Sequence, residues 1–243
     1  MTQVVNNELT LTPIGKISTP YQEKFAIPRQ PGLVSSALGC ITLTSTENHQ
    51  EMVRGLSEFS HLWLLFIFHA NKQQGWKPLV KPPRLGGNKK VGVLATRSTF
   101  RPNPLGMSVV KLERIEIINN TVKIFVSGVD LLNQTPIVDI KPYIPYSDSV
   151  PNASASFAQT EPEQQLIITY SHRAEQQVIE YQKDFPELLT LINQVLAQDP
   201  RPAYKKKVKD NTDYGMALYT LNIRWRLVST DTVEVFELSE ADT

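Results

Sequence analysis

Two guanidinium groups open the chemistry of this sequence. Residues 95–108 read ATRSTFRPNPLGMS, with Arg97 and Arg101 flanking a short polar stretch and Pro102, Pro104 and Gly106 following at once. Proline fixes φ and has no N–H to donate, so this segment is neither helix interior nor central strand. It is a loop with little freedom left to lose, suited to holding charged groups in place. Three other segments share that character: residues 24–32 (KFAIPRQPG), the strand end at Phe68-His69, and residues 130–136 (DLLNQTP). Arg29, Arg97 and Arg101 can bind carboxylate or phosphate, often bidentately. Asp130 can take an ammonium group or ribose hydroxyls, and Phe25, Leu105 and Leu132 can sandwich a flat heterocycle. Purely structural roles stay open for two of them: Arg29 as a turn cap, and Asp130 as an Asx-turn acceptor.

Each of these segments adjoins the end of an expected strand, and loops gathered at one rim of a β framework are a common way to build a ligand site. Strands are expected at residues 9–18, 35–44, 61–69, 91–96, 107–118, 121–129 and 135–140, with a short helix at 47–54. Residues 107–118 and 121–129 alternate apolar and polar around Asn119-Asn120, a hairpin signal because Asn tolerates positive φ. The run LWLLFIF at 62–68 reads as a buried strand and is far too short to cross a bilayer. Many short strands without interleaved long helices favour a barrel or sandwich over a doubly wound nucleotide fold.

Composition shifts at residues 145–162, a small, polar, proline-punctuated linker. Beyond it, helices are expected at 173–184 and 186–198, the second with Leu188, Leu189, Ile192, Val195 and Leu196 on one face, and paired strands at 216–228 and 233–238. The chain is therefore read as mainly β, with a β-barrel over residues 1–150 and a small α+β domain over 151–243.

Charge narrows the class of partner. The 243 residues carry a net charge of only +1, but no acidic residue stands between Glu58 and Glu113. Roughly five would fall there by even scatter. The same stretch holds Lys72, Lys77, Lys81, Arg84, Lys89, Lys90, Arg97, Arg101 and Lys111. Such a stretch suits a polyanion or a phosphate-bearing ligand. Cys40 is the single cysteine, so an internal disulfide and a cysteine-based zinc site are excluded. No phosphate loop, nucleophile elbow, zinc-spaced histidine pair or dinucleotide fingerprint occurs. Gly86-Gly87-Asn88-Lys89-Lys90 is basic and glycine-rich, and a surface turn explains it equally well. The N-terminus has neither the basic nor the apolar region of a secretory signal, and the expected compartment is the cytoplasm.

The strings FAIPRQPGL, RGLSEFSHLW, PPRLGG, ATRSTFRPNPLGMS and DIKPYIPYSDS, with Pro13-Ile14-Gly15 and Pro20-Tyr21 before them and AQDPRPAY after, resemble the tRNA N6-threonylcarbamoyladenosine methyltransferases of the YaeB type. The resemblance spans most of the chain. It implies a β-barrel methyltransferase that uses S-adenosylmethionine, acts as a homodimer without metal or membrane, and methylates N6 of threonylcarbamoyladenosine at position 37 of tRNA, threonine-accepting tRNA in bacterial members. By the same resemblance the donor site would draw on Pro28, Arg29, Gln30, His69, Arg97, Leu105, Asp130, Leu131 and Leu132. The tRNA surface would then draw on Lys81, Arg84, Lys89, Lys90 and Arg101, extended by Lys205, Lys206 and Lys207. The acceptor nitrogen is conjugated to both ring and carbamoyl group, so a group that takes its proton would help, and Asp139, His69 and Tyr143 are the candidates. A non-catalytic RNA-binding barrel, or a methyltransferase acting on another substrate, would share many of these features.

Overall fold

A computed structural model describes residues 10–44, 48–162, 166–201 and 212–241. The first strands in chain order are β1 (Gly15–Ser18), β2 (Leu38–Leu43), β3 (His61–Ile67) and the two-residue pair β4 (Leu79–Val80) and β5 (Val91–Gly92). They are followed by β6 (Leu105–Ile118), β7 (Thr121–Ser127) and β8 (Thr135–Pro142). Six of these close a barrel in the order β1-β2-β7-β6-β3-β8, and β8 pairs back onto β1. Every pairing in it is antiparallel. Closure leaves no unpaired strand edge in this layer.

Alternation fills the interior. Ile17, Ile41, Leu62, Leu64, Val110, Val122, Ile124 and Ile137 all point inward and are buried. The β3 run reads in sequence as a fully buried strand, but only Leu62, Leu64 and Phe66 face the core. Trp63, Leu65 and Ile67 point outward and are half-exposed. Beside them on β6, Leu105 and Met107 are 40% and 53% exposed, and the registers Trp63–Val109, Leu65–Met107 and Ile67–Leu105 set these side chains together on the outer wall. A continuous apolar run thus marks a barrel strand with an apolar outer face.

The Asn119-Asn120 hairpin forms as the sequence suggests, with both residues at positive φ (49° and 62°). Two other expectations need correction. Residues 91–96 are not one strand: only Val91–Gly92 pairs, and Val93–Ala95 is a 3-10 turn. Its partner β4 is hemmed in by Pro78 and Pro82, which lack the N–H needed to extend a ladder. Residues 47–54 hold a 3-10 turn at Glu51–Val53 and no α-helix among the described positions.

After a single helical turn α1 (Pro145–Asp148), the chain builds a second layer from β9 (Ile167–Tyr170), α2 (His172–Tyr181), α3 (Leu188–Ala197), β10 (Asp213–Leu218), β11 (Leu221–Leu227) and β12 (Thr232–Glu240). The sheet order is β10-β11-β12-β9, with β9 parallel to β12. Residues 216–228, expected as one strand, turn at Tyr219, whose φ is 55°. Helix α2 starts where the Ser171 hydroxyl accepts from the Ala174 N–H, a standard N-cap. Helix α3 buries Leu188, Leu191, Ile192, Val195 and Leu196. Leu191 takes the place expected of Leu189, which is 36% exposed.

The second layer is welded to the barrel. Tyr21 bridges to Leu218, the Tyr219 N–H donates to the Pro20 carbonyl at 2.7 Å, and the Gln194 amide binds Ser35 and Ser36. One contiguous apolar cluster runs from Ile17 and Ile41 in the barrel to Ile192, Met216 and Trp225 in the second layer.

Candidate functional site

Four connections leave the barrel at one end: β1 to β2, β3 to β4, β5 to β6, and β7 to β8. They carry the four segments singled out in the sequence, and they enclose a cavity of about 540 Å³. A volume of that order suits a ligand of nucleoside size or somewhat larger.

The loops are held by named contacts. Arg101 donates from Nη1 to its own loop at the Thr96 carbonyl (2.7 Å), and Arg97 donates to Gln30 Oε1 (2.7 Å), tying the ATRSTF loop to the PRQPG loop. Thus the two arginines of the rigid turn have different work: one braces the loop and the other joins it to its neighbour. Lys24 donates to Asn71 Oδ1, and Asn71 donates to Thr99, so a second strap crosses three loops. The β7–β8 loop is pinned from beneath by Thr19, whose hydroxyl donates to the Leu131 carbonyl (2.9 Å). Thr135 donates to the Leu132 carbonyl within it (2.6 Å). Gly106 sits where wall and aromatics meet. A Cβ there would lie 2.5 Å from Phe66 Cζ and 2.8 Å from Phe68 Cζ, so only glycine lets those edge-to-face rings close on the strand.

Asp130 is the acid of the cavity. Ser108 donates to its Oδ1 at 2.6 Å. The carboxyl is enclosed by protein and opens to solvent through the cavity, and this desolvation raises its pKa to about 6 against the lowering pull of Ser108 and Arg97. Facing it around the wall are four cationic side chains, Lys24, Arg29, Arg97 and Arg101. Desolvation lowers the Arg29 pKa while Asp199 opposes that shift.

All nine residues anticipated for the donor site, Pro28, Arg29, Gln30, His69, Arg97, Leu105, Asp130, Leu131 and Leu132, line this one cavity. Of the three proton-acceptor candidates, only His69 is there. Asp139 pairs with Lys141 at 3.2 Å on the barrel exterior, and the Tyr143 ring packs against Trp63 and His61 on the outer wall. Among the residues anticipated for tRNA, Arg101 lines the cavity. Lys81, Lys89 and Lys90 are exposed on or beside the β4–β5 ribbon. Arg84 is exposed but donates to the Thr160 carbonyl (2.6 Å), fastening the ribbon to the linker. Lys205, Lys206 and Lys207 fall outside the described residues. Sequence reasoning singled out the segments that hold Lys24, Thr99 and Ser108 but gave those residues, and Asn71, no role of their own. Ser108 alone left a signal, a hydroxyl at an inward position of β6 two places before Val110.

A second cavity, of about 560 Å³, lies against the first. Lys24, Ile27, Pro28 and Arg29 line both. Its far side is the end of α3 and the linker, at Gln198, Asp199, Thr160 and Glu161. Just beyond, Arg201 grips Asp199 through two hydrogen bonds of 2.8 and 2.9 Å. Among the described residues there is no cluster of three metal-ligating side chains, and no helix is long and apolar enough to cross a membrane.

Comparison with known proteins agrees with this architecture. The family model described as the tRNA-methyltransferase O N-terminal domain matches residues 16–149, and that of the TrmO C-terminal domain matches residues 163–241. The tRNA (adenine(37)-N6)-methyltransferase of Escherichia coli strain K12 is 49% identical over 225 residues, covering 93% of this chain and 95% of that protein. A Pseudomonas aeruginosa protein provisionally named as an S-adenosylmethionine-dependent methyltransferase, RcsF, is 42% identical over 96% of this chain and 99% of its own length. The crystal structure of TrmO from Pseudomonas aeruginosa superposes with a TM-score of 0.80 at 36% identity, covering 96% of this chain and 98% of that one.

Proposed function

The chain belongs to the tRNA-methyltransferase O family, and from that membership and the rim cavity we infer that it transfers the methyl group of S-adenosylmethionine to N6 of adenosine 37 in tRNA. The observation that carries this reading is the convergence of all nine anticipated donor-site residues on one cavity at the rim of a closed barrel. The residues fit the donor chemically. Arg29 and Arg97 are placed to hold its carboxylate, and the Asp130 carboxylate to take its ammonium or ribose hydroxyls. Leu105, Leu131 and Leu132, with Phe66 and Phe68, offer apolar walls for adenine and exclude water. S-adenosylmethionine, when bound, supplies an electrophilic methyl on a sulfonium that departs neutral, so the step needs no general acid.

The protein then has to align acceptor and donor and take up one proton. His69 is the proton-acceptor candidate that the fold brings to the cavity. The substrate we favour carries a threonylcarbamoyl group on N6, because Lys24 and Arg101, the cavity cations not assigned to the donor, suit its carboxylate. Residues 1–150 form the catalytic unit on this reading, and residues 151–243 add tRNA contact through the basic run at Lys205–Lys207. The apolar outer face of β3 and β6, with Leu105 and Met107 at the edge of the cavity, suits a second copy of the chain, giving a homodimer. The setting is the cytoplasm, where tRNA is modified.

Mass analysis of position-37 nucleosides in tRNA, from cells with and without the protein, tests the assignment. Loss of N6-methylated threonylcarbamoyladenosine on deletion is expected. An unchanged nucleoside profile, together with no calorimetric binding of S-adenosylmethionine, would leave an RNA-binding barrel without catalysis. Donor binding with an unchanged profile would point to another methyl acceptor.

A further inference from the structure

We propose that Trp76 is a stacking platform for an unpaired nucleobase of the RNA substrate, next to the nucleotide that enters the cavity. The proposal rests on the reading of an RNA substrate and adds a contact that lies outside the cavity.

The chain contains three tryptophans. Trp225 is fully buried and stacked on Tyr214. Trp63 donates its indole N–H to Asp148 at 2.9 Å and packs on Tyr143. Trp76 is 56% exposed. A single exposed indole is ordinary on a protein surface, so its position beside the cavity and the charge around it decide what it can meet.

Its backbone is nevertheless fixed beside the cavity. The 3-10 turn His69–Gln74 starts in the cavity wall, at His69, Ala70 and Asn71. It ends at Gly75, whose φ of 65° redirects the chain. The next residue after Trp76 is tied back: the Lys77 N–H donates to the Phe100 carbonyl at 3.2 Å. The Lys77 ammonium lies 4.8 Å above the Phe100 ring. Phe100 stands between Thr99 and Arg101, which both line the cavity. On the return leg Leu94 is 77% exposed, two residues before the cavity-lining Thr96. The ribbon therefore presents one aromatic and one aliphatic surface on an arm rooted at the cavity on both sides.

Charge selects the occupant. The arm lies wholly within the acid-free stretch between Glu58 and Glu113 and carries Lys77, Lys81, Lys89 and Lys90. Exposed aromatics among cations are the chemistry that binds single-stranded nucleic acid, with phosphates neutralised and bases stacked. A methyl acceptor that must reach into a cavity has to leave its own stack, and its neighbour in the strand then loses a stacking partner. Trp76 supplies one.

The test uses the full chain, its Trp76→Phe and Trp76→Ala variants, and a synthetic RNA hairpin with a tRNA anticodon-loop sequence. Tryptophan fluorescence of the unaltered protein should be quenched as the hairpin is added. In Trp76→Phe the quenching should vanish while affinity stays within about threefold, because a phenyl ring still stacks. In Trp76→Ala the hairpin should bind about 5- to 100-fold more weakly, with S-adenosylmethionine affinity unchanged. Three results would overturn the proposal: unaltered hairpin affinity in Trp76→Ala, quenching that persists in Trp76→Phe, or quenching driven by protein concentration alone, which would make the arm a contact between copies. A hairpin that binds but ignores Trp76 would sink the platform and spare the RNA reading. A chain that binds neither hairpin nor tRNA would sink both.

Discussion

A carboxylate enclosed by protein holds its proton to higher pH than one in water, and for Asp130 that places the change near pH 6 against an ordinary 3.8. Between those values the native state binds more protons than the unfolded chain, so stability falls as pH rises through the window and stays lower above it. Asp130→Asn keeps an acceptor for Ser108 and removes the charge. Melting temperature should therefore rise at pH 7, by the equivalent of about 1–2 kcal/mol after allowance for solvent reaching the group through the cavity, with little change at pH 4. On the proposed donor contact, which needs the ionised group, affinity for S-adenosylmethionine should move the other way. It should weaken as pH drops below about 6, and in Asp130→Asn it should be poor throughout. Calorimetry over pH 4–8 checks both, and wild-type affinity in the variant at pH 7.5 would remove Asp130 from the proposed donor site. Arg29→Ala should likewise cost about 1–3 kcal/mol of donor affinity by deleting a charge-assisted contact. The family resemblance alone supplied Gln30, whereas Asp130 and Arg97 were legible in the sequence because charged groups in proline- and glycine-punctuated loops are unusual. Lys24, Asn71 and Thr99 were not, because their strap joins residues 47 and 28 positions apart across separate loops, and no local pattern encodes such a closure.

The barrel strands are the elements whose sequence signal was strongest, since one face is core and the period of two is enforced along their length. Elements failed where neighbours overrode local preference. Val91 and Gly92 pair only as far as the prolines around β4 permit, and β10 and β11 part at a Tyr-Thr turn that carries no turn signature. The meeting of β6 with two phenyl rings makes a test at this scale. Gly106→Ala should force Phe66 and Phe68 apart, costing about 1–3 kcal/mol of stability by overpacking and weakening donor binding through a displaced wall. Thermal unfolding and calorimetry on the same sample read both, and a variant matching the parent in each would show that the rings yield freely. The β4–β5 ribbon makes another. Reversing Lys89 and Lys90 to Glu should weaken tRNA binding and flatten its salt dependence, with donor affinity nearly intact. Collapse of donor affinity with tRNA binding preserved would instead assign the Gly86–Lys90 turn to the small-molecule cavity.

At the scale of the whole molecule, two segments that match separate family models share one apolar cluster. The composition shift at residues 145–162 was visible in the sequence. The apolar face of residues 186–198 called for a partner, but the barrel side of the weld was not legible, because nothing local to Tyr21 marks its bridge to Leu218. A chain ending at Ser149 would expose part of that cluster and lose the Tyr219-to-Pro20 and Ser36-to-Gln194 hydrogen bonds. It should unfold at a clearly lower temperature than the full chain, and the full chain should melt in one cooperative transition by calorimetry. Two well-separated transitions would show that the layers are energetically independent.

Lys24, Ile27, Pro28 and Arg29 line the rim cavity on one side and the α3–linker cavity on the other. A packed partition one segment thick cannot be displaced on one side only. A ligand that shifted this segment from the α3 side would alter the room in the rim cavity, and reciprocity would then require a ligand in the rim cavity to alter that second affinity by the same factor. The end of α3 and the linker thus share a wall with the rim cavity without lining it.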